Sequence, residues 1–245
     1  MDNVMYVGLS RQMTLQRELD VISNNVANVD TSGFKVESLM VQTDPHQLAA
    51  GGGQGPATVN FSLDAGVARD FSQGSLKQTG DPLSMAIEGE GFFKVTTPAG
   101  ERYTRDGRFS LDDQGRLVTE AGQPVQGEGG DLVIDPQKGQ IKVATDGTVS
   151  QGNQTVGKIA VVNFASLSGL SKDGGGLYRI DGNIQPQPAP TAKVRQGMIE
   201  GSNVEPITQI SKMIEVSRAY ENIANMMDQT SQLSRSTIDR LGRLN

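Results

Sequence analysis

The chain has no cysteine and no tryptophan, and its one histidine is His46. Without cysteine there is no disulfide, no thiol nucleophile and no thiolate metal site, and the chain suits any redox compartment. A histidine-dependent triad could draw only on His46, which sits in a polar, glycine-rich stretch and reads as a free surface side chain. Large packing anchors are scarce: seven Phe and four Tyr, with 36% hydrophobic residues over 245 positions, allow a core but a lean one. No apolar run reaches membrane-spanning length, and the opening MDNVMYVGLSRQ lacks the basic and apolar regions of a secretory signal. Basic clusters are missing as well. A net charge of −6 and a pI near 4.9 argue against a nucleic-acid or anionic-membrane surface. Taken alone, these absences point to a cytoplasmic protein.

What is present is distributed unevenly. Residues 1–35 hold only Gly8 and Gly33, and residues 206–245 only Gly242 and Pro206, so the middle takes all but three of the 30 glycines and all but one of the ten prolines. In the last forty residues, Met213, Val216, Tyr220, Ile223, Met227, Thr230, Ser234, Thr237, Leu241 and Leu244 step by three and four, the heptad seam of a helix seeking a partner. Pro206 suits its first turn. Near the N-terminus, Leu15, Leu19, Ile22, Val26 and Val29 repeat the pattern, and this helix should stop near Asp30-Thr31-Ser32-Gly33, where the glycine is free to take positive φ. Asn24, Asn25 and Asn28 disfavour a helix interior, and read either as a fraying last turn or as amides bonded to neighbouring helices.

Between the ends, residues 36–70 read as a flexible or extended linker. The Gly51-Gly52-Gly53-Gln54-Gly55-Pro56 run in it has neither the preceding strand nor the following Lys or helix of a phosphate loop. Beyond it, short apolar segments (85–87, 92–95, 108–111, 132–134, 141–143, 159–162) alternate with turn formers such as Pro98-Ala99-Gly100 and Asp106-Gly107, which predicts a β domain of sandwich or barrel type without helices. The expected architecture is α+β. Residues 1–35 and 205–245 are long helices of a coiled-coil or helical-bundle domain, 36–70 a linker, and 71–204 a central all-β domain inserted between the helices.

Chemistry is sparse. Asp112-Asp113-Gln114-Gly115 is a fragment of a calcium loop without its remaining ligands or closing Glu, and reads as a turn. Glu88 and Glu90 flank Gly89, but like charges two apart on one strand face repel, so a glycosidase pair is a poor reading. No catalytic, cofactor-binding or metal-ligating residue is predicted.

The run Ser23-Asn24-Asn25-Val26-Ala27-Asn28-Val29-Asp30-Thr31-Ser32-Gly33-Phe34-Lys35 closely resembles the N-terminal signature of bacterial flagellar rod, hook and hook-associated proteins. The stretch Glu200-Gly201-Ser202-Asn203-Val204-Glu205, continued by Arg218-Ala219-Tyr220-Glu221, is similar to the matching C-terminal signature. Gly80-Asp81-Pro82-Leu83, Ala86–Phe93 and Tyr103–Gly107 resemble the β domain of the hook and rod subgroup. The resemblance spans nearly the whole chain, and within it the opening and the length are more similar to the proximal than to the distal rod type. It implies a non-enzymatic structural subunit that polymerises helically into a torque-bearing shaft across the periplasm. It also implies export by the flagellar type III apparatus without a cleaved signal, which overrides the cytoplasmic expectation. The implied partners are copies of itself, other proximal and distal rod subunits and the export apparatus, with no cofactor, no nucleic acid and no membrane insertion.

On this reading the assembly interface comprises Leu15, Leu19, Ile22, Asn24, Asn25, Val26, Asn28, Met213, Val216, Tyr220, Ile223, Met227 and Leu241, and Thr31, Gly33 and Phe34 form the signature turn. Alternatives from other classes are a secreted all-β carbohydrate-active protein on a coiled-coil stalk and a fibrous adhesin.

Overall fold

The computed structural model describes residues 2–47 and 58–242; the glycine run at 51–56 lies outside them. The chain forms two compact units. One holds Met1–Ala27, Glu37–Arg69 and Glu205–Asn245, the other Asn28–Val36 and Asp70–Val204.

In the terminal unit, α1 (Asp2–Ala27) and α2 (Pro206–Gly242) pack side by side. Asn25 bonds Gln209 at the C-terminal end of α1, while Gly8 lies against Met227, so the helices run antiparallel. Gly8 permits a close approach, since a Cβ there would sit 3.1 Å from the Met227 Cγ. The contact seam buries Leu15, Ile22 and Val216, with Leu19, Val26, Met213, Ala219, Tyr220 and Ile223 packed against them. The expected coiled-coil or helical bundle is not what forms. Among the described residues there are two α-helices, of 26 and 37 residues, packed as a single pair. Within the described part, the contact of the shorter helix with α2 runs from Asn25 at Gln209 to Met5 and Gly8 near Met227 and Thr230. The α+β class itself stands.

Residues 36–70 are also more than a linker. β1 (Glu37–Gln47) and β2 (Thr58–Arg69) pair antiparallel from Glu37↔Arg69 to Gln47↔Thr58, with a bulge at Met40/Val41, and both pack on α1. The signal lay in Val59-Asn60-Phe61-Ser62-Leu63-Asp64, a period-two alternation masked by the surrounding polarity. Pro45 is tolerated because every strand of a two-stranded ribbon has an open edge.

The β unit is built of short antiparallel strands. Its largest sheet has the order Leu170–Lys172, Leu177–Ile180, Gly100–Thr104, Phe92–Thr97, Val161–Asn163, Gln187–Pro188. A main core gathers Met85, Ile87, Phe93, Val95, Phe109, Leu117, Ile134 and Ile159 among others, and a second, aromatic cluster holds Phe92, Tyr103, Phe164 and Tyr178. Strands form at 85–88, 92–97, 109–111 and 141–143, much as the apolar runs predict. Residues 132–134 differ. They lie extended and bond to Gly115 and Leu117 without joining a regular ladder, although Leu132 and Ile134 are buried. Two single turns of 3-10 helix, Pro136–Lys138 and Leu167–Gly169, also depart from the helix-free expectation, the first capped by the Asp135 carboxylate accepting from the Gln137 N–H.

Candidate assembly interface

Most of the predicted seam meets itself. Leu15, Leu19, Ile22 and Val26 on α1 face Met213, Val216, Tyr220 and Ile223 on α2 within one chain, and Met227 closes on Gly8. Leu241 lies in α2, but its side chain is outside the described part.

The three asparagines divide. Asn25 is buried, and its Nδ2 donates to the Glu37 carbonyl at 2.7 Å and to Gln209 Oε1 at 3.1 Å. Its Oδ1 accepts from the Glu37 N–H at 2.9 Å, so one side chain joins α1, the ribbon and α2. This is what an interior amide must do, since a buried donor or acceptor left unpaired costs about 1–3 kcal/mol. Asn24 donates to the Glu37 carboxylate, which also pairs with Arg69. Asn28 belongs to the β unit and accepts from the Thr31 hydroxyl.

The signature turn belongs to the β unit too. Thr31 closes it back onto Asn28, and Gly33 takes a φ of 68° with its N–H donating to the Glu200 carbonyl at 2.8 Å. A Cβ on Gly33 would stand 2.5 Å from the Arg105 carbonyl carbon, so glycine is required twice over, by conformation and by space. Phe34 is buried, with the Lys172 amine 4.7 Å from its ring centre.

Beyond Phe34 lies a constellation that sequence reasoning missed. Lys35 Nζ donates to Glu200 Oε1 and to the Ser72 carbonyl, each at 2.6 Å, and Arg105 meets Glu200 Oε2 at 3.1 Å. The Gly74 N–H adds a bond to Glu200 Oε1, and all three charged residues are buried. Burial pushes the Lys35 amine and the Arg105 guanidinium below their usual values, and the Glu200 carboxylate pulls both back up. Three residues on, Asn203 accepts from the Val36 N–H at 2.7 Å and donates to Asp70 and Ser72. The two signature stretches, far apart in sequence, thus form one clasp through Lys35, Glu200 and Asn203 with Arg105, in which the Arg105 Nε is the buried side-chain polar atom left without a hydrogen bond among the described residues. The clasp holds backbone segments together and leaves Glu200 no free oxygen for chemistry.

The carboxylates weighed for catalysis are similarly occupied. Glu88 accepts from Arg195 at 2.6 Å, which holds its pKa down, and Glu90 accepts from Asn163. The Asp112 carboxylate is filled by its own turn, accepting from the Gln114 and Arg116 N–H groups, and these bonds lower its pKa.

The terminal unit also presents large apolar side chains to solvent. On α1 these are Met5, Tyr6, Leu9 and Met13, and on α2 Ile207, Ile210, Ile214, Met226 and Leu233. At ~100° per residue the centre of the isoleucine stripe falls about 120° round the helix from that of the Met213–Val216–Tyr220 seam. Their spacing of three and four was readable as a second stripe, overshadowed by the longer one. A groove of about 670 Å³ runs between α1 and the ribbon, lined by Leu9, Met13, Arg17, Leu63 and Tyr220 among others.

Comparison with known proteins agrees along the chain. Residues 5–35 match the family described as flagella basal body rod protein, 86–151 the flagellar hook protein FlgE/F/G D1 domain, and 195–240 the flagellar basal body rod FlgEFG protein C-terminal family. The flagellar basal-body rod protein FlgF of Caulobacter vibrioides is 53% identical over 100% of both chains. That of Mesorhizobium japonicum is 37% identical over 99% of each. The flagellar basal-body rod protein FlgG of Caulobacter vibrioides is 33% identical, covering 91% of this chain and 93% of its own.

Proposed function

We propose a mode of action from one premise: the chain belongs to the flagellar basal-body rod protein family and is a structural subunit of the flagellar rod. The antiparallel helix pair and its ribbon are the assembling part. The observation that carries this is their division of apolar surface, with one stripe closing the pair within the chain and a second left exposed on each helix. Such exposed stripes mark contact surfaces, since soluble chains rarely leave contiguous apolar faces uncovered.

The finer reading places the subunit in the proximal rod, within the part that crosses the periplasm, among proximal and distal rod subunits and after passage through the flagellar type III export apparatus. The higher identity to an FlgF than to an FlgG of the same bacterium supports the proximal position. Stacked helically, the terminal units form a shaft that carries torque, while the clasp keeps each β unit a fixed body. The test is removal of the gene, followed by complementation. Loss of swimming, with purified basal bodies ending short of a distal rod and restored by the wild-type chain, is the expected result. Basal bodies with a complete rod in its absence overturn the assignment.

A further inference from the structure

A cleft of about 360 Å³ lies wholly within the β unit, between residues 70–73, residues 89–92 and Asn163. Its walls are fixed by bonds inside the unit. Gln73 donates to the Ile87 carbonyl and accepts from the Gly89 N–H, and Arg105 donates to the Gly89 carbonyl at 2.8 Å. Phe71, half-buried and set edge-on against Phe92 with ring centres 5.6 Å apart, supplies an apolar wall. A pre-formed hollow with an aromatic wall and a few convergent polar groups has the form of a small-molecule site. We infer that this cleft binds a neutral saccharide, one ring lying against Phe71 and its hydroxyls exchanging hydrogen bonds with Asp70, Glu90 and Asn163.

The lining selects that class of ligand. Asp70 accepts from the Ser72 N–H through one oxygen and Glu90 accepts from Asn163 through one, and among the described residues the second oxygen of each carboxylate is unbonded. Donors stand beside these acceptors. The Ser72 hydroxyl accepts from Asn203 and keeps its hydrogen to give, and the Asn163 amide spends one of its two hydrogens on Glu90. Arg105, 4% exposed, lines the same cleft, and its Nε is unbonded as well. A hydroxyl both gives and accepts, so it suits a wall that holds both kinds of group. Ions suit it less. The Arg105 guanidinium, already 5.3 Å from the Phe92 ring centre, repels a second cation, and the two carboxylates repel an anion. The apolar face of a sugar ring covers Phe71 without stranding a polar group. The site belongs to the β unit and not to the helix pair, and the inference stands independently of the rod reading.

The test is NMR of the full-length chain, read at backbone and side-chain amides during titration with glucose, N-acetylglucosamine and the trisaccharide of N-acetylglucosamine. Saturable shifts confined to residues 70–73, residues 89–92 and the Asn163 side-chain amide are expected from at least one of these sugars. Glu90 is exposed, so Glu90→Ala spares the fold, and it should weaken that binding about tenfold by removing a charged acceptor. Glu128→Ala, which removes an exposed carboxylate elsewhere in the β unit, should leave the affinity unchanged. Shifts at the cleft from arginine amide but from no sugar identify a cation site and overturn the inference. So do sugar-induced shifts scattered over the surface, an affinity that Glu90→Ala does not alter, or the absence of any saturable shift from all the sugars at their highest soluble concentrations.

Discussion

Gly33 shows how much one position can decide. Its left-handed backbone and the Arg105 backbone 2.5 Å from a would-be Cβ leave an alanine no relaxed conformation. Gly33→Ala should therefore abolish swimming and lower the denaturation midpoint of the purified chain, whereas Gly122→Ala, where φ is also positive but the space is open, should lower it far less. Equal effects would mean that conformation alone matters. The buried ions make a sharper case. Glu200→Ala leaves Lys35 and Arg105 without their shared countercharge, a loss of about 3–5 kcal/mol, while Lys35→Met keeps the Arg105–Glu200 pair and should cost far less. Because burial lowers the Lys35 pKa, the unfolded chain binds more protons between the folded value and roughly pH 10.4. Wild type should thus gain stability relative to Lys35→Met as pH rises through that window, measured by chemical denaturation at pH 7 and pH 10; a constant gap overturns the sign. The sequence marked Gly33 through its turn, but not Lys35 with Glu200, because 165 residues separate two charges whose pairing leaves no local pattern.

The helices and ribbon show which elements announce themselves. Both helices were legible from their three-and-four spacing, and within the chain Leu15, Ile22 and Val216 pack together with Leu19, Val26, Met213, Tyr220 and Ile223 of that spacing. What the repeat could not say is how many helices share the seam, and the coiled-coil bundle it suggested gives way to a single antiparallel pair. The ribbon stayed hidden because its strands pack chiefly on each other and on α1, and about half their residues are polar and read as a linker. Packing predicts the consequences of substitution. Ile22→Ala removes a side chain only 4% exposed and should destabilise the helix pair by roughly 2–5 kcal/mol. Leu233→Ala, at 66% exposed, should leave the free chain's stability within about 0.5 kcal/mol. If Leu233→Ala nevertheless abolishes swimming, its side chain works in assembly, a separation that stability measured beside motility reads directly.

At the scale of the molecule, the two units are held very differently. The β unit's main core buries Met85, Ile87, Phe93, Val95, Leu117, Val125, Ile134 and Val149 at no more than 1% exposure, whereas among the described residues the buried members of the helix seam are Leu15, Ile22 and Val216, at 2%, 4% and 7%. Fixing each residue costs about 1–2 kcal/mol of conformational entropy, so a pair of long helices with so short a seam is marginal on its own. On the export route proposed above, a chain threaded through a narrow channel would gain from that weakness, since helices stable before export would have to be unfolded and could join copies in the wrong place. Amide exchange on a verified monomer should therefore rank the chain: strand 92–97 slowest, the stretches around Ile22 and Val216 intermediate, and α2 beyond Thr230, exposed or half-exposed wherever its side chains are described, fastest. On assembly the helices should slow most, because neighbouring copies then cover the exposed stripes. Equal protection of helices and strands in the monomer would show that the pair is stable before assembly, and the exposed stripes would then serve contact without helping to order the helices.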